Sequence, residues 1–152
     1  GEWGHNFLDE TGGTCYCGKT GCVETVISGP ATERYYQGLT GQALSLKEIV
    51  DLYTAGPDGA GSERAGPYSA ATRTIERLCH FFGKGISVVT NLVDPDVIVV
   101  GGGVGNIDAL YTLGLVELRK FIFNNRVEVP LLKPSLGDSA GVFGAAALVA
   151  GE

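Results

Sequence analysis

Three of the four cysteines, Cys15, Cys17 and Cys22, fall inside the eight-residue stretch "CYCGKTGC", with His5 upstream and Glu2 and Glu24 on either side. Thiols and an imidazole at this density can bind a metal. Thiols alone can pair as disulfides, and the inner "GKT" can be spelled as part of a phosphate loop. Gly13 to Thr20 does satisfy G-x-x-x-x-G-K-[ST], but that chemistry needs a buried strand feeding the loop so that backbone N–H groups converge on phosphate. The preceding "NFLDETG" is polar and turn-like, so the spelling is read as coincidence. Disulfides suit small, core-poor domains in oxidising compartments, and Cys15 and Cys17 are too close in sequence to pair easily. Cys79, the fourth, is read as a buried, inert thiol on a helix. The metal reading uses every member of the set. Zinc takes thiolates and imidazole nitrogen tetrahedrally, and structural sites fill all four positions. His5, Cys15, Cys17 and Cys22 form one such Cys₃His set, which leaves no position for a reacting water.

The rest of the chain must position these groups. Its 152 residues are 44% hydrophobic and 18% charged, enough to bury a core. The 24 glycines imply tight turns and close backbone approach. A net charge of −6 without a basic stripe argues against a nucleic-acid groove. No apolar run is long enough to span a membrane, and no signal peptide opens the chain. The opening "GEWGHNF", without Met, reads as a fragment or a processed chain.

Residues 1 to 20 read as Gly-rich and irregular, followed by a helix from Gly21 to roughly Tyr36. Ser45 caps a short helix, "LKEIVDLYTAG", closed by Gly56, and "PDGAGSERAGP" reads as a loop. Tyr68, Ala71, Ile75, Leu78, Phe82, Gly85, Val89 and Leu92 recur at helical spacing and predict one long helix with one buried face. It should end before Asp94-Pro95. "DVIVV", residues 96 to 100, predicts a buried parallel strand. "GGGVGN" ends that strand, and a helix from about Ile107 to Phe123 follows. "VPLLKPS" is a second strand candidate, and "GDSAGVFGAAALVA" reads as a closing helix. Strand, glycine loop and helix in this order give an α/β class with an incomplete sheet, its other strands expected upstream of Gly1.

"GEWGHN" followed by "CYCGKTGCVETVISG" resembles the signature of the ROK family of sugar kinases and sugar-sensing repressors. Gly1, Glu2, Gly4, His5, Cys15, Cys17, Gly18, Gly21, Cys22, Glu24, Ser28 and Gly29 fill its fixed positions. "NLVDPDVIVVGGGVGN" resembles the family's adenosine-binding stretch and "GDSAGVFGAAAL" its usual ending, so the likeness covers nearly the whole chain. The spacer between His5 and Cys15 is short against some members.

The resemblance implies an actin-like (ribonuclease H-like) α/β fold of which this chain is the C-terminal portion. Residues 1–29 would form the zinc and sugar motif, and 94–106 the adenosine-side strand and glycine loop, with the N-terminal lobe absent. It implies structural zinc on His5, Cys15, Cys17 and Cys22, and sugar contact by Glu2, His5 and Glu24. His5 would use one ring nitrogen for the metal and the other for the substrate. It places Gly101, Gly102 and Gly103 against the adenosine of ATP, although G-x-G-x-x-G fails at Asn106. A tight turn is the plain alternative for those glycines, as solvated surface charge is for the two glutamates.

The implied activity is Mg-ATP-dependent phosphorylation of a hexose, in a cytoplasmic enzyme expected to be a homodimer. The phosphate loops and the catalytic Asp lie outside this sequence, so these residues alone are expected to be inactive. The spelling looks closest to fructokinases, which makes fructose the first substrate, with glucose or N-acetylglucosamine next. The sugar-sensing domain of a transcriptional repressor is the rival reading, and the only one that brings in DNA.

Overall fold

A computed structural model describes residues 1–60, 67–124, 126–135, 137 and 140–149. The helices are α1 (Val23–Ile27), α2 (Gly29–Thr40), α3 (Leu46–Ala60), α4 (Pro67–Val93), α5 (Asp108–Arg119) and α6 (Ala140–Val149). Two short strands, β1 (Ile98–Val99) and β2 (Leu131–Leu132), pair in parallel, and 3₁₀ turns cover Trp3–His5, Glu10–Gly12 and Gly103–Asn106. None of the described helices is long and apolar enough to cross a membrane.

The predicted long helix is α4, around which the core is built. Ala71, Ile75, Leu78, Phe82 and Gly85 are buried as the periodicity requires. The stripe runs out early: Val89 is half-buried and Leu92 is 81% exposed, while on the same last turn Asn91 donates to Phe121 O and accepts from Phe123 N. The side chain of Tyr68 lies outside the described residues. α5 crosses α4 so closely that a Cβ on Gly83 would stand 2.5 Å from the backbone nitrogen of Leu118. Only a residue without a side chain fits there.

The single helix expected from Gly21 to Tyr36 is two. Ser28 is extended (φ −68°, ψ 163°), ends α1 and caps α2 by accepting from Ala31 N at 3.3 Å, while Pro30 occupies the first turn of α2. A capping serine thus overrode a continuous apolar pattern. Ser45 does open α3: its hydroxyl bonds the Glu48 carboxylate at 2.6 Å, and the Ser45 N–H donates to the same carboxylate at 2.8 Å. Gly56 breaks the helical geometry as expected (φ 72°), but the helix resumes to Ala60 instead of ending. The stretch read as a loop is therefore helical at its start, and residues 61–66 lie outside the described residues.

β1 and β2 answer to the two strand candidates, with Ile98 opposite Leu131 and Val99 opposite Leu132. β1 is not buried on both faces, however. Ile98 and Val100 are half-buried against the core, whereas Val97 and Val99 are 44% and 55% exposed. A parallel strand normally carries cover on both sides; among the described residues, cover lies on one. α5 stops at Arg119, short of the expected Phe123, and the chain continues in turns. The closing helix is present as α6, with Val142, Phe143, Leu148 and Val149 facing solvent.

Candidate functional site

The cysteine segment folds back on itself as a knuckle. Thr14 and Thr20 form an antiparallel bridge, Cys15 N donates to Lys19 O at 2.7 Å, and Gly18 N donates to Cys15 O at 2.9 Å. These bonds consume amides that a phosphate cradle would need free, so the phosphate-loop spelling has no structural counterpart. A second bridge, Phe7 to Cys22, and the bond from Val23 N to Asn6 O at 2.9 Å bring the His5 turn beside the end of the knuckle.

The result is one cluster. The ligand atoms of His5, Cys15, Cys17 and Cys22 all lie within 4.8 Å of one another. His5 Nδ1 is 3.5 Å from Cys15 Sγ, and Cys17 Sγ is 3.6 Å from Cys22 Sγ. Zinc bonds to sulfur and nitrogen, at tetrahedral angles, give edges of about 3.8 Å between sulfurs and about 3.5 Å between sulfur and nitrogen. These two edges match a closed four-coordinate ion, and the cluster as a whole, within 4.8 Å, is compatible with one. All four cysteines of the chain are unpaired. The charge balance points the same way: burial and then the neighbouring Cys17 and Cys15 push the Cys22 thiol up to about 12. The Cys17 thiol is instead held below its ordinary value, first by the Lys19 backbone N–H, so a cation at the centre would have most to offset at Cys22. Cys79 stands apart, 1% exposed on α4, its thiol pushed up to about 12, first by burial and then by Glu117 and Glu76. It is the inert core thiol the sequence suggests.

His5 faces two ways. While Nδ1 joins the thiols, Nε2 lies 2.8 Å from the hydroxyl of Tyr16 and 3.8 Å from Glu24 Oε2. Glu24 sits in the first turn of α1, immediately after Cys22, so the cluster and the carboxylate share a backbone anchor. Glu2 closes the His5 turn through its carbonyl, which accepts from His5 N at 3.2 Å, and its side chain is exposed. Local desolvation, then Glu24, Cys15 and Glu2, hold the Tyr16 phenol above its ordinary range. Tyr16, to which residue spacing gave no role, thus stands against His5 and within electrostatic reach of Glu24 and Glu2.

Two cations of α4 fasten this segment to the core. Arg77 donates to Val26 O and to Thr11 Oγ1, each at 3.1 Å, with its guanidinium over the rings of Tyr35 and Phe81. Lys84 donates to Leu8 O at 3.0 Å and lies 3.8 Å from Asp9, which itself accepts from Thr11 N. Both cations sit on the polar flank of α4, and no local motif announced them.

The glycine loop lies on a different element, at the carboxyl end of β1. Gly101, Gly102 and Gly103 are exposed, and a Cβ on any of them would meet nothing within 4 Å. Gly102 holds a positive φ of 78°, as a tight turn requires, and internal packing does not account for Gly101 or Gly103. Gly105 is the opposite case, since a Cβ there would collide with the carbonyl of Val100. The loop is pinned from two sides. Tyr111 donates to Gly105 O at 2.7 Å, and Lys133, one residue past β2, donates to Asn106 O at 3.3 Å and to Asp108 at 2.5 Å.

Comparison with known proteins gives these features a context. The model of the ROK family matches residues 1–152. N-acetyl-D-glucosamine kinase of Mannheimia succiniciproducens is 38% identical over 135 residues, covering 88% of this chain and 40% of that protein. That of Yersinia enterocolitica is 31% identical over 162 residues, covering 97% and 48%. Among solved structures, a ROK glucokinase from Streptomyces griseus in complex with glucose and AMPPNP superposes with a TM-score of 0.81 at 24% identity, covering 97% of this chain and 50% of that one. A ROK hexokinase from Thermus thermophilus gives 0.76 at 30% identity, covering 96% and 46%. A ROK transcriptional regulator, homologous to the E. coli MLC protein, gives 0.68 at 26%, covering 88% and 34%. The fold is the actin-like one of these kinases, and the chain spans half or less of each of these proteins.

Proposed function

The chain belongs to the ROK family, and from that premise we propose that it is the sugar-, metal- and adenosine-side portion of an ATP-dependent hexose kinase. The observation that carries this reading is the divided imidazole of His5, with one nitrogen in the Cys₃ cluster and the other beside Glu24. A bound zinc would hold the knuckle closed as a structural ion. His5, fixed by that closure, would present Nε2 to a sugar hydroxyl, while Glu24 and Glu2 accept hydrogen bonds from others. Ionised carboxylates are strong acceptors, and a few placed polar groups suffice to choose a hydroxyl-rich substrate. Gly101 to Gly103 would give the adenosine of ATP a surface clear of side chains, at the carboxyl end of a parallel strand.

The reaction is attack of a sugar hydroxyl on the γ-phosphate of Mg-ATP, with a carboxylate base and a β/γ-phosphate cradle supplied from outside this sequence. These residues alone bind and orient, so the activity belongs to the full-length protein. The relatives' names shift the first substrate from fructose to N-acetylglucosamine or glucose. A hexose panel with ATP and the full-length protein is the test. Phosphorylation of one or two aldohexoses is the expected result. The regulator-like structural match supports a second reading, a sugar-sensing repressor domain. Flat activity across the panel, with sugar-dependent DNA binding, would replace the kinase by that reading.

A further inference from the structure

Resting on the sugar-site reading above, we infer that Tyr16 is a further residue of that site, its hydroxyl holding the position on His5 Nε2 that a sugar hydroxyl must take. The phenol oxygen lies 2.8 Å from Nε2, and the two rings meet edge to face with centroids 4.9 Å apart. Glu24 approaches the same nitrogen at 3.8 Å. With Nδ1 turned to the thiols, Nε2 is the one ring nitrogen left for a substrate, and it makes one well-aligned hydrogen bond at a time. Tyr16 brings to it the chemical group a sugar brings, an O–H beside a carboxylate. Both cannot occupy it together.

Packing does not fix Tyr16 there. Its residue is 83% exposed, so the ring can swing into solvent without opening the core. Its backbone, by contrast, is held between Cys15 and Cys17, which keeps the phenol within reach of His5 after displacement. Tyr16 is thus a built-in competitor, and its occupancy lowers the apparent affinity for any sugar whose hydroxyl needs Nε2. A sugar lacking that one hydroxyl leaves Tyr16 in place and escapes the competition. Tyr16 thereby narrows the difference between hexoses that carry the Nε2-facing hydroxyl and those that do not.

The test is Tyr16→Phe in the full-length protein, with hexose binding measured calorimetrically without ATP, and metal content checked in both proteins. The parent hexose should bind about three- to tenfold tighter to Y16F, the worth of one exchanged hydrogen bond. In a series of monodeoxy analogues, that gain should vanish for one analogue alone, the one lacking the hydroxyl that meets Nε2. Equal or weaker binding of every sugar by Y16F, beside normal binding by the unaltered protein, overturns the role of Tyr16 and leaves the sugar site standing. Failure of the unaltered protein to bind any hexose removes the sugar site and this inference together.

Discussion

Glu24 Oε2 lies 3.8 Å from His5 Nε2, while the other nitrogen of that ring stands 3.5 Å from Cys15 Sγ. One imidazole therefore joins the thiol cluster to the carboxylate, and losing the cluster should be felt on the carboxylate side. Removing the charge of Glu24 alone separates the two roles. Glu24→Gln in the full-length protein should raise the hexose KM about 10- to 100-fold, the usual worth of a charge-assisted hydrogen bond. Zinc content and the KM for ATP should stay unchanged. An unaltered hexose KM would remove Glu24 from the sugar site.

The metal proposal is checked by elemental analysis. The protein should carry about one zinc per chain, and Cys22→Ser should weaken metal retention by at least about a hundredfold. Chelation should lower the melting temperature of the parent and leave that of the variant where it already stands. Well under one zinc per chain in the freshly purified parent would refute the Cys₃His site.

Lys133 should matter to nucleotide and not to sugar, because it grips Asn106 and Asp108 beside the glycine loop. Lys133→Ala is expected to raise the KM for ATP about three- to tenfold, as one or two hydrogen bonds to the loop are lost. Hexose affinity measured without nucleotide should not move. Tyr111→Phe, which loses the bond to Gly105 O, should act in the same direction.

Tyr36 is fully buried, yet its hydroxyl has no hydrogen-bond partner among the described residues. Such a group carries a desolvation cost without return, so Tyr36→Phe should raise stability by about 1 kcal/mol in denaturant unfolding. A loss of that size would mean that the hydroxyl finds a partner in solution.

Asp9 gives a pH dependence of known sign. Hydrogen bonds from Thr11, opposed by partial burial and aided by Lys84 and Arg77, hold its carboxyl below the usual 3.8. A depressed carboxylate contributes stability above its unfolded pKa and loses it as pH falls through the folded one. Asp9→Asn should therefore cost about 1 kcal/mol at pH 7 and progressively less below about pH 4. A penalty that stays constant down to pH 2 would show that charge plays no part.

How much of this was legible in the sequence depended on how local the cause was. The Cys₃His set could be read because its members lie close together and their chemistry is narrow. Ser45 and the glycine-strand order were legible for similar reasons. Ser28 was not, because its apolar neighbours Val23, Val26 and Ile27 continue smoothly into Ala31 and hide the cap. Leu92 fits the stripe of α4 in register but not in space, since periodicity says which face a residue takes and not what covers it. Tyr16, Arg77 and Lys133 act through partners on other segments or another face of the same loop, and spacing carries no mark of that. In the glycine loop, spacing did not separate Gly105, which packing forbids to change, from Gly101 to Gly103, where a side chain would meet open space.

The knuckle also bears on the order in which the molecule assembles. Seventeen residues separate His5 from Cys22, whereas the bond from Lys84 to Leu8 spans 76. Closing the shorter loop costs about 1.3 kcal/mol less chain entropy. A metal ion bound there would therefore favour closing residues 5–22 ahead of the contact between Lys84 and Leu8. The segment would then dock on the long helix already shaped, as a prefabricated piece, and Arg77 and Lys84 would clamp it only at the end.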